Sequence, residues 1–203
     1  MKNIFKLMRR LALALVLASA SSVAAAGTIH VAIDTSGFGA ASGYVDMQLS
    51  ASAGVPLATA VITNLSGFDS SAFIDSWGVT PVAGGGYAFR NDTSNDLFHA
   101  VNFGGVLSFD LTFAGAYDPL TTYVSHFVVS AFDENFALLG NYDPVSGALA
   151  DFAWTPALSA NGEGSIGRDI NDPAVTAIPE PTALLLLGVG LLGIALVQRR
   201  RSV

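Results

Sequence analysis

From Gly27 onward, apolar side chains recur at every second position. In TIHVAID, Ile29, Val31 and Ile33 point one way, and Thr28, His30, Ala32 and Asp34 the other. YVDMQLS sets Val45, Met47 and Leu49 against Tyr44, Asp46, Gln48 and Ser50. VLSFDLTFA sets Leu107, Phe109, Leu111 and Phe113 against Ser108, Asp110 and Thr112. A period of two predicts strands with one buried and one wetted face. TAVITNL, YAFRN, LFHAVNF, YVSHFVVSAF and ALADFAW read as further strands, some of them apolar on both faces. Turn-forming clusters such as DTSGFGAASG, VAGGGY, RNDTSND, AYDP and NYDPVSG lie between them. Roughly eight short strands without an amphipathic helix predict an all-β fold. The expected form is an antiparallel two-sheet sandwich of jelly-roll type, with an up-and-down barrel as the alternative. Residues 159–177 are rich in Gly, Asn and Pro and weakly patterned. They predict one last short strand around Ile166 followed by a linker. The domain is therefore expected over 27–165 and the linker over 166–178.

The two ends break the alternation. MKNIFKLMRR, LALALVLA and SASSVAAAG are the basic, apolar and small-residue parts of a secretory signal peptide over residues 1–26. Ala24 and Ala26 suit a signal peptidase pocket, which predicts cleavage between Ala26 and Gly27. At the other end, Ala183 to Val197 carries no charge and no side-chain hydrogen-bonding group. As a helix it spans about 22 Å, short of the roughly 30 Å hydrocarbon core. Its flanks extend that reach. Thr182 can cap a helix over 182–198, and Gln198, Arg199, Arg200 and Arg201 can reach the interface and favour the cytoplasmic side. A single transmembrane helix at the C-terminus is the expectation, with the domain on the far side of the inner membrane.

Charge excludes some partners. Of 9 basic and 16 acidic residues, only Arg90 and Arg168 stand against fifteen acids in the middle segment, a net of −13. Such a surface repels phosphate backbones, so nucleic acid is excluded and direct binding to anionic lipid is disfavoured. There are 0 cysteines, which rules out disulfide scaffolds and thiolate metal sites.

Pro179-Glu180-Pro181, then an apolar helix, then Arg199, Arg200 and Arg201 resemble the PEP-CTERM sorting signal of Gram-negative bacteria, over residues 179–203. The resemblance implies recognition by an exosortase, a membrane-embedded cysteine protease, with cleavage near the Pro-Glu-Pro segment. The product is then released or passed to the cell surface, usually in organisms that make exopolysaccharide. Rigid prolines hold an extended strand for a protease to grip. The preceding segment also resembles the β-rich exported domains that often accompany this signal. The implied partners are exosortase, signal peptidase, the inner membrane as a transient anchor, and exopolysaccharide.

Little in the middle segment carries chemistry. Gly162 to Gly167 fits GxGxxG by letter, but Asn171, Asp172 and Pro173 follow where a dinucleotide site needs a helix. Asp92, Ser94 and Asp96, flanked by Asn91 and Asn95, gather oxygens that suit calcium, though the glycine and glutamate of an EF-hand are missing. Asp133, Glu134, Asn135 and Asp143 offer weaker versions. No other cofactor is expected. His30, His99 and His126 form no paired-histidine motif, and no GxSxG elbow is present. Phe38, Tyr44, Phe68, Phe73, Trp77, Tyr87 and Trp154 could supply a sugar-stacking surface, although most read as core. Trp77, in the loop-like FIDSWGV, stands out. The expectation is a non-enzymatic, exported surface or matrix protein. A carbohydrate-binding or adhesive module is the first alternative, marked by an exposed aromatic strip on one sheet. A secreted polysaccharide hydrolase or lyase is the second, marked by a groove where carboxylates meet.

Overall fold

The alternation resolves into twelve strands. The computed structural model describes residues 27–179 except 52, 70, 121, 122, 161 and 163. The signal peptide up to Ala26, Glu180, Pro181, the helix expected over 182–198 and Arg199 to Arg201 lie outside the described residues. The strands are β1 (Ile29–Asp34), β2 (Ser42–Ala51), β3 (Ala58–Ser66), β4 (Ile74–Trp77), β5 (Val79–Pro81) and β6 (Gly86–Arg90). They continue as β7 (Asp96–Asn102), β8 (Val106–Gly115), β9 (Ser125–Asp133), β10 (Ala150–Thr155), β11 (Ser165–Ile170) and β12 (Val175–Pro179). Thr35–Gly37 forms a single 3-10 turn. No helix among the described residues is long and apolar enough to cross a membrane.

Two six-stranded antiparallel sheets result, ordered β12-β1-β8-β3-β6-β5 and β11-β10-β9-β2-β7-β4. Strands β1 to β8 pair as a nest, β1 with β8, β2 with β7 and β3 with β6. At the tip, β4 and β5 fall in different sheets on either side of Gly78. Gly78 has a φ of 63°, and a Cβ there would lie 2.0 Å from the Ser94 carbonyl oxygen. Only glycine turns this corner.

The residues that alternate inward in the sequence are the ones the sheets bury, among them Val31, Met47, Ile62, Phe109 and Leu111. Burying each such side chain contributes about 1.5–3 kcal/mol. Phe127 of β9 joins the layers. Its ring meets Phe89 at 5.2 Å and Phe113 at 6.4 Å, both edge to face and both from the opposite sheet. Trp154 closes one end of this core, against Gly115 and Gly164. A Cβ on either glycine would come within 2.6 Å of the indole.

The linker expected over 166–178 is instead structured. β11 pairs with β10 along its whole length, and β12 pairs with β1 from Ile33↔Val175 to Ile29↔Pro179. The domain thus closes at Pro179 and not at residue 165. The reason is that both are edge strands. β11 is held by backbone pairing with its side chains mostly outside, so it lacks a period-two signature. Between them Asp172 is buried and accepts hydrogen bonds from the backbone N–H of Asn141 (2.6 Å) and Ala174 (2.8 Å), which fixes the crossing from one sheet to the other.

Phe127→Ala should cost about 3–5 kcal/mol, lowering the Tm of residues 27–179 by about 10 °C. Val128→Ala, on the outer face of the same strand, should cost less than about 1 kcal/mol. Thermal denaturation checks both, and equal losses would show that this ring does not join the sheets.

Candidate functional site

The outer face of the second sheet carries the densest functional grouping. β2 and β7 pair with Tyr44↔Ala100 and Asp46↔Phe98 in register, so Tyr44, Asp46, Asp96 and Phe98 share the face opposite the core. Tyr44 stacks on Phe98 with ring centroids 4.6 Å apart, and Phe132 lies 5.7 Å from Phe98. Phe136, in the turn after β9, folds back to lie 5.5 Å from Tyr44 at an interplanar angle of 4°. That ring is 64% exposed. Phe136 holds a φ of 63°, a conformation that costs a bulky side chain on the order of 1–3 kcal/mol. Asp133 sustains it, accepting from the backbone N–H of Asn135 and Ala137, both at 2.8 Å. Beside Tyr44, an open depression of about 260 Å³ is lined by residues including Ser42, Asp69, Asn102 and Glu134. Aromatic faces bordered by carboxylates and amides suit the apolar faces and hydroxyls of a sugar.

Farther along the same face Trp77, 74% exposed, sits in register with Asp96. The carboxyls of Asp46 and Asp96 meet there. The Oδ1 atoms of both are shut off from solvent and receive no donor from the rest of the protein, while Gln48 Nε2 donates to Asp46 Oδ2 at 2.9 Å. Burial pushes the Asp46 carboxyl up to about 8, helped by the hydrogen bond to Asp96 and by its negative charge. The pair therefore holds a proton at neutral pH.

The oxygen-rich loop expected to suit calcium is spent on structure. Asp92 pairs with Arg90, at 2.6 Å from Nη2 and 3.0 Å from Nε, and this pairing holds its carboxyl below the usual range. Asp96 turns away to Asp46. Ser94 offers its carbonyl oxygen to the Gly78 corner. Asn91 braces Ala58 N–H and Pro56 O, and Asn95 braces both backbone groups of Leu49. Asp92 and Ser94 line one open depression with Asn91 and Asn95, while Asp96 faces Asp46. Asp133 and Asp143 likewise accept hydrogen bonds from turn amides, which keep both carboxyls low. Among the described residues no three His, Asp or Glu side chains converge on a common point.

The histidines are separate. His30 Nδ1 donates to buried Asp110 at 2.7 Å, and Asn64 Nδ2 donates to the same carboxyl at 2.6 Å. Burial opposes ionisation of Asp110, but these two bonds outweigh it and keep the group low. His126 pairs with Asp151 at 2.8 Å, and buried His99 donates to the Ala100 carbonyl at 2.8 Å. The glycine-rich loop runs directly into strand β11. Of the aromatics singled out by sequence, Tyr44 and Trp77 lie on the outer face and Phe73 is exposed. Phe38 and Trp154 are buried, and Phe68 and Tyr87 pack against the core. Phe98 and Phe136 are not among those the sequence singles out; the signal available was an aromatic at one outward position of β7 and another in the turn after β9.

An unfolded Asp46 ionises near 3.8, whereas the folded group retains its proton to about 8. Its contribution to stability is therefore complete below pH 4 and lost as the pH rises toward 8. Asp46→Asn should leave the Tm nearly unchanged at pH 4 and raise it by an amount that grows with pH, on the order of 10 °C at pH 8.5. Parallel Tm–pH curves for the two proteins would contradict the shared proton.

The second grouping is the junction with the tail. Pro179 is the last residue of β12 and stands opposite Ile29, the first residue of β1. Arg168 Nη1 donates to the Ala177 carbonyl at 2.7 Å and ties β11 to the same stretch. Residues 177–201 match the family model of the PEP-CTERM protein-sorting motif. Comparison with curated proteins and with solved structures gives no match. The motif thus begins inside a paired edge strand, with Ala177, Ile178 and Pro179 belonging to both. It is the signal an exosortase recognises, and it implies export and membrane-anchored sorting to the cell surface. This chain is a β-sandwich domain that carries, from its last strand onward, a PEP-CTERM protein-sorting motif.

Proposed function

We propose that this is a non-enzymatic surface protein, delivered by its tail and released into the extracellular matrix after cleavage near Pro179, Glu180 and Pro181. In this reading the apolar helix over 182–198 holds the chain in the inner membrane with Arg199, Arg200 and Arg201 inside, until exosortase cuts. Signal peptidase removes residues 1–26. The nested pairing of β1 to β8 supports a jelly-roll sandwich as the cargo. The observation that carries the reading is the motif match that starts at residue 177, within the closing strand. Nothing separates cargo from signal.

Fractionation in the native host tests it. The full chain should pass through a membrane-bound form to the surface or medium. Truncation after Pro179 should abolish the membrane-bound form and leave soluble domain. Replacing Arg199, Arg200 and Arg201 by Glu should trap or misorient the chain. Identical distribution of all three would contradict sorting by the tail.

The aromatic platform favours a second reading, a glycan-binding module of the exopolysaccharide matrix. A strained Phe136 held coplanar with Tyr44 is the observation behind it. On a glycan array, Phe136→Ala and Trp77→Ala should each lose about tenfold in affinity, equivalent to about 1.4 kcal/mol. Binding unaffected by both changes, or no binding by the unaltered chain, would remove it.

A further inference from the structure

The tail leaves the domain at one end of the sandwich, where several exposed apolar side chains lie. β1 leaves the end at which β12 arrives. Because successive strands reverse direction, the loops spanning 52–57, 91–95, 116–124 and 156–164 gather at the same end. Backbone hydrogen bonds lace three of them together, from Ala116 N–H to Leu57 O at 2.9 Å and from Asp118 N–H to Ala157 O at 2.8 Å. The laced loops present Leu57, Tyr117, Leu120 and Leu158 outward, with Leu120 94% and Leu158 69% exposed. Ile178, 62% exposed, lies near the exit of the tail on β12, level with Asp110 of β8 through the register of β1. Single exposed apolar residues need no explanation, but four on loops tied by backbone bonds are a candidate contact surface.

Chain length identifies the contact. Between Pro179, still paired in β12, and Ala183, where the apolar run begins, stand only Glu180, Pro181 and Thr182. Fully extended, those four steps span about 14 Å. The headgroup region of one leaflet is itself about 6 Å deep. The end of the sandwich that holds Pro179 is thus within reach of the interface, and these side chains are the ones that meet it. Leucine and tyrosine are suited to that boundary, where a ring or branched chain enters the acyl edge while polar groups stay wet.

We propose that Leu120, Leu158, Tyr117 and Leu57 form a bilayer-docking surface that seats the domain on the outer leaflet and steadies the Pro179 segment at the membrane. This rests on the tail acting as the anchor. The domain's acidity assigns the attraction to apolar contact and not to anionic headgroups.

The absence of cysteine permits single-site labelling. The full chain, bearing Leu120→Cys, Leu158→Cys or Val145→Cys, would carry a polarity-sensitive fluorophore in phosphatidylcholine vesicles. Val145 is also 94% exposed but lies in the β9–β10 connection at the opposite end. Flotation reports the anchor. If the chain floats, labels at 120 and 158 should shift to the blue and lose most of their emission to a nitroxide placed just below the headgroups, while the label at 145 does neither. Added phosphatidylglycerol should not strengthen the effect. A floating chain whose three labels behave alike overturns the docking surface and leaves the anchor standing. Quenching that requires anionic lipid and vanishes with salt also overturns it. A chain that does not float sinks the anchor and this inference together.

Discussion

Backbone hydrogen bonds between β1 and β12 hold the first and last strands of the domain side by side, with Ile29 opposite Pro179. Each strand is short, and β12 lies at the sheet edge, so its place depends on this ladder and on Val175, buried at its start. Once the ladder forms, the chain enters and leaves at one end of the sandwich. The sorting motif then starts within the last strand of the sheet. No long linker separates this domain from the motif. The same ladder also takes in the first residues of the motif, since Ala177, Ile178 and Pro179 are both strand and motif. Pro179 is tolerated there because an edge strand needs no donor on its outer side.

The two sheet faces divide the remaining work. The inner faces supply cohesion through Phe89, Phe113 and Phe127, which pack edge to face across the layers. The outer face of the second sheet holds features that cohesion does not need. It has a buried aspartate that keeps its proton, a stacked set of rings and a phenylalanine kept in an unfavourable backbone conformation. Such departures from the relaxed choice are where function is sought. The negative charge of the domain opposes binding to anionic surfaces.

The long strands were legible because burial on one face leaves a period of two, and β1, β2 and β8 fall where Ile29, Val45 and Leu107 begin their alternations. The sorting tail was legible because proline, an apolar run and arginines must follow one another in order. Edge elements were not legible. β4 was read as a loop around Trp77, and β11 and β12 as mostly linker, because an edge strand is fixed by hydrogen bonds that leave no mark on composition. The meeting of Asp46 and Asp96 depends on strand register across fifty residues of chain. The bracing of backbone groups by Asn91 and Asn95 cannot be read from composition, because Asn is common in any polar turn.

The C-terminal residue of the mature protein, read by mass spectrometry on material from the native host, is the most direct check that the tail is processed where the fold ends. The expected terminus lies within a few residues of Pro179, with the apolar run and Arg199 to Arg201 gone. Recovery of an intact terminus at Val203 on the surface-exposed protein would contradict it.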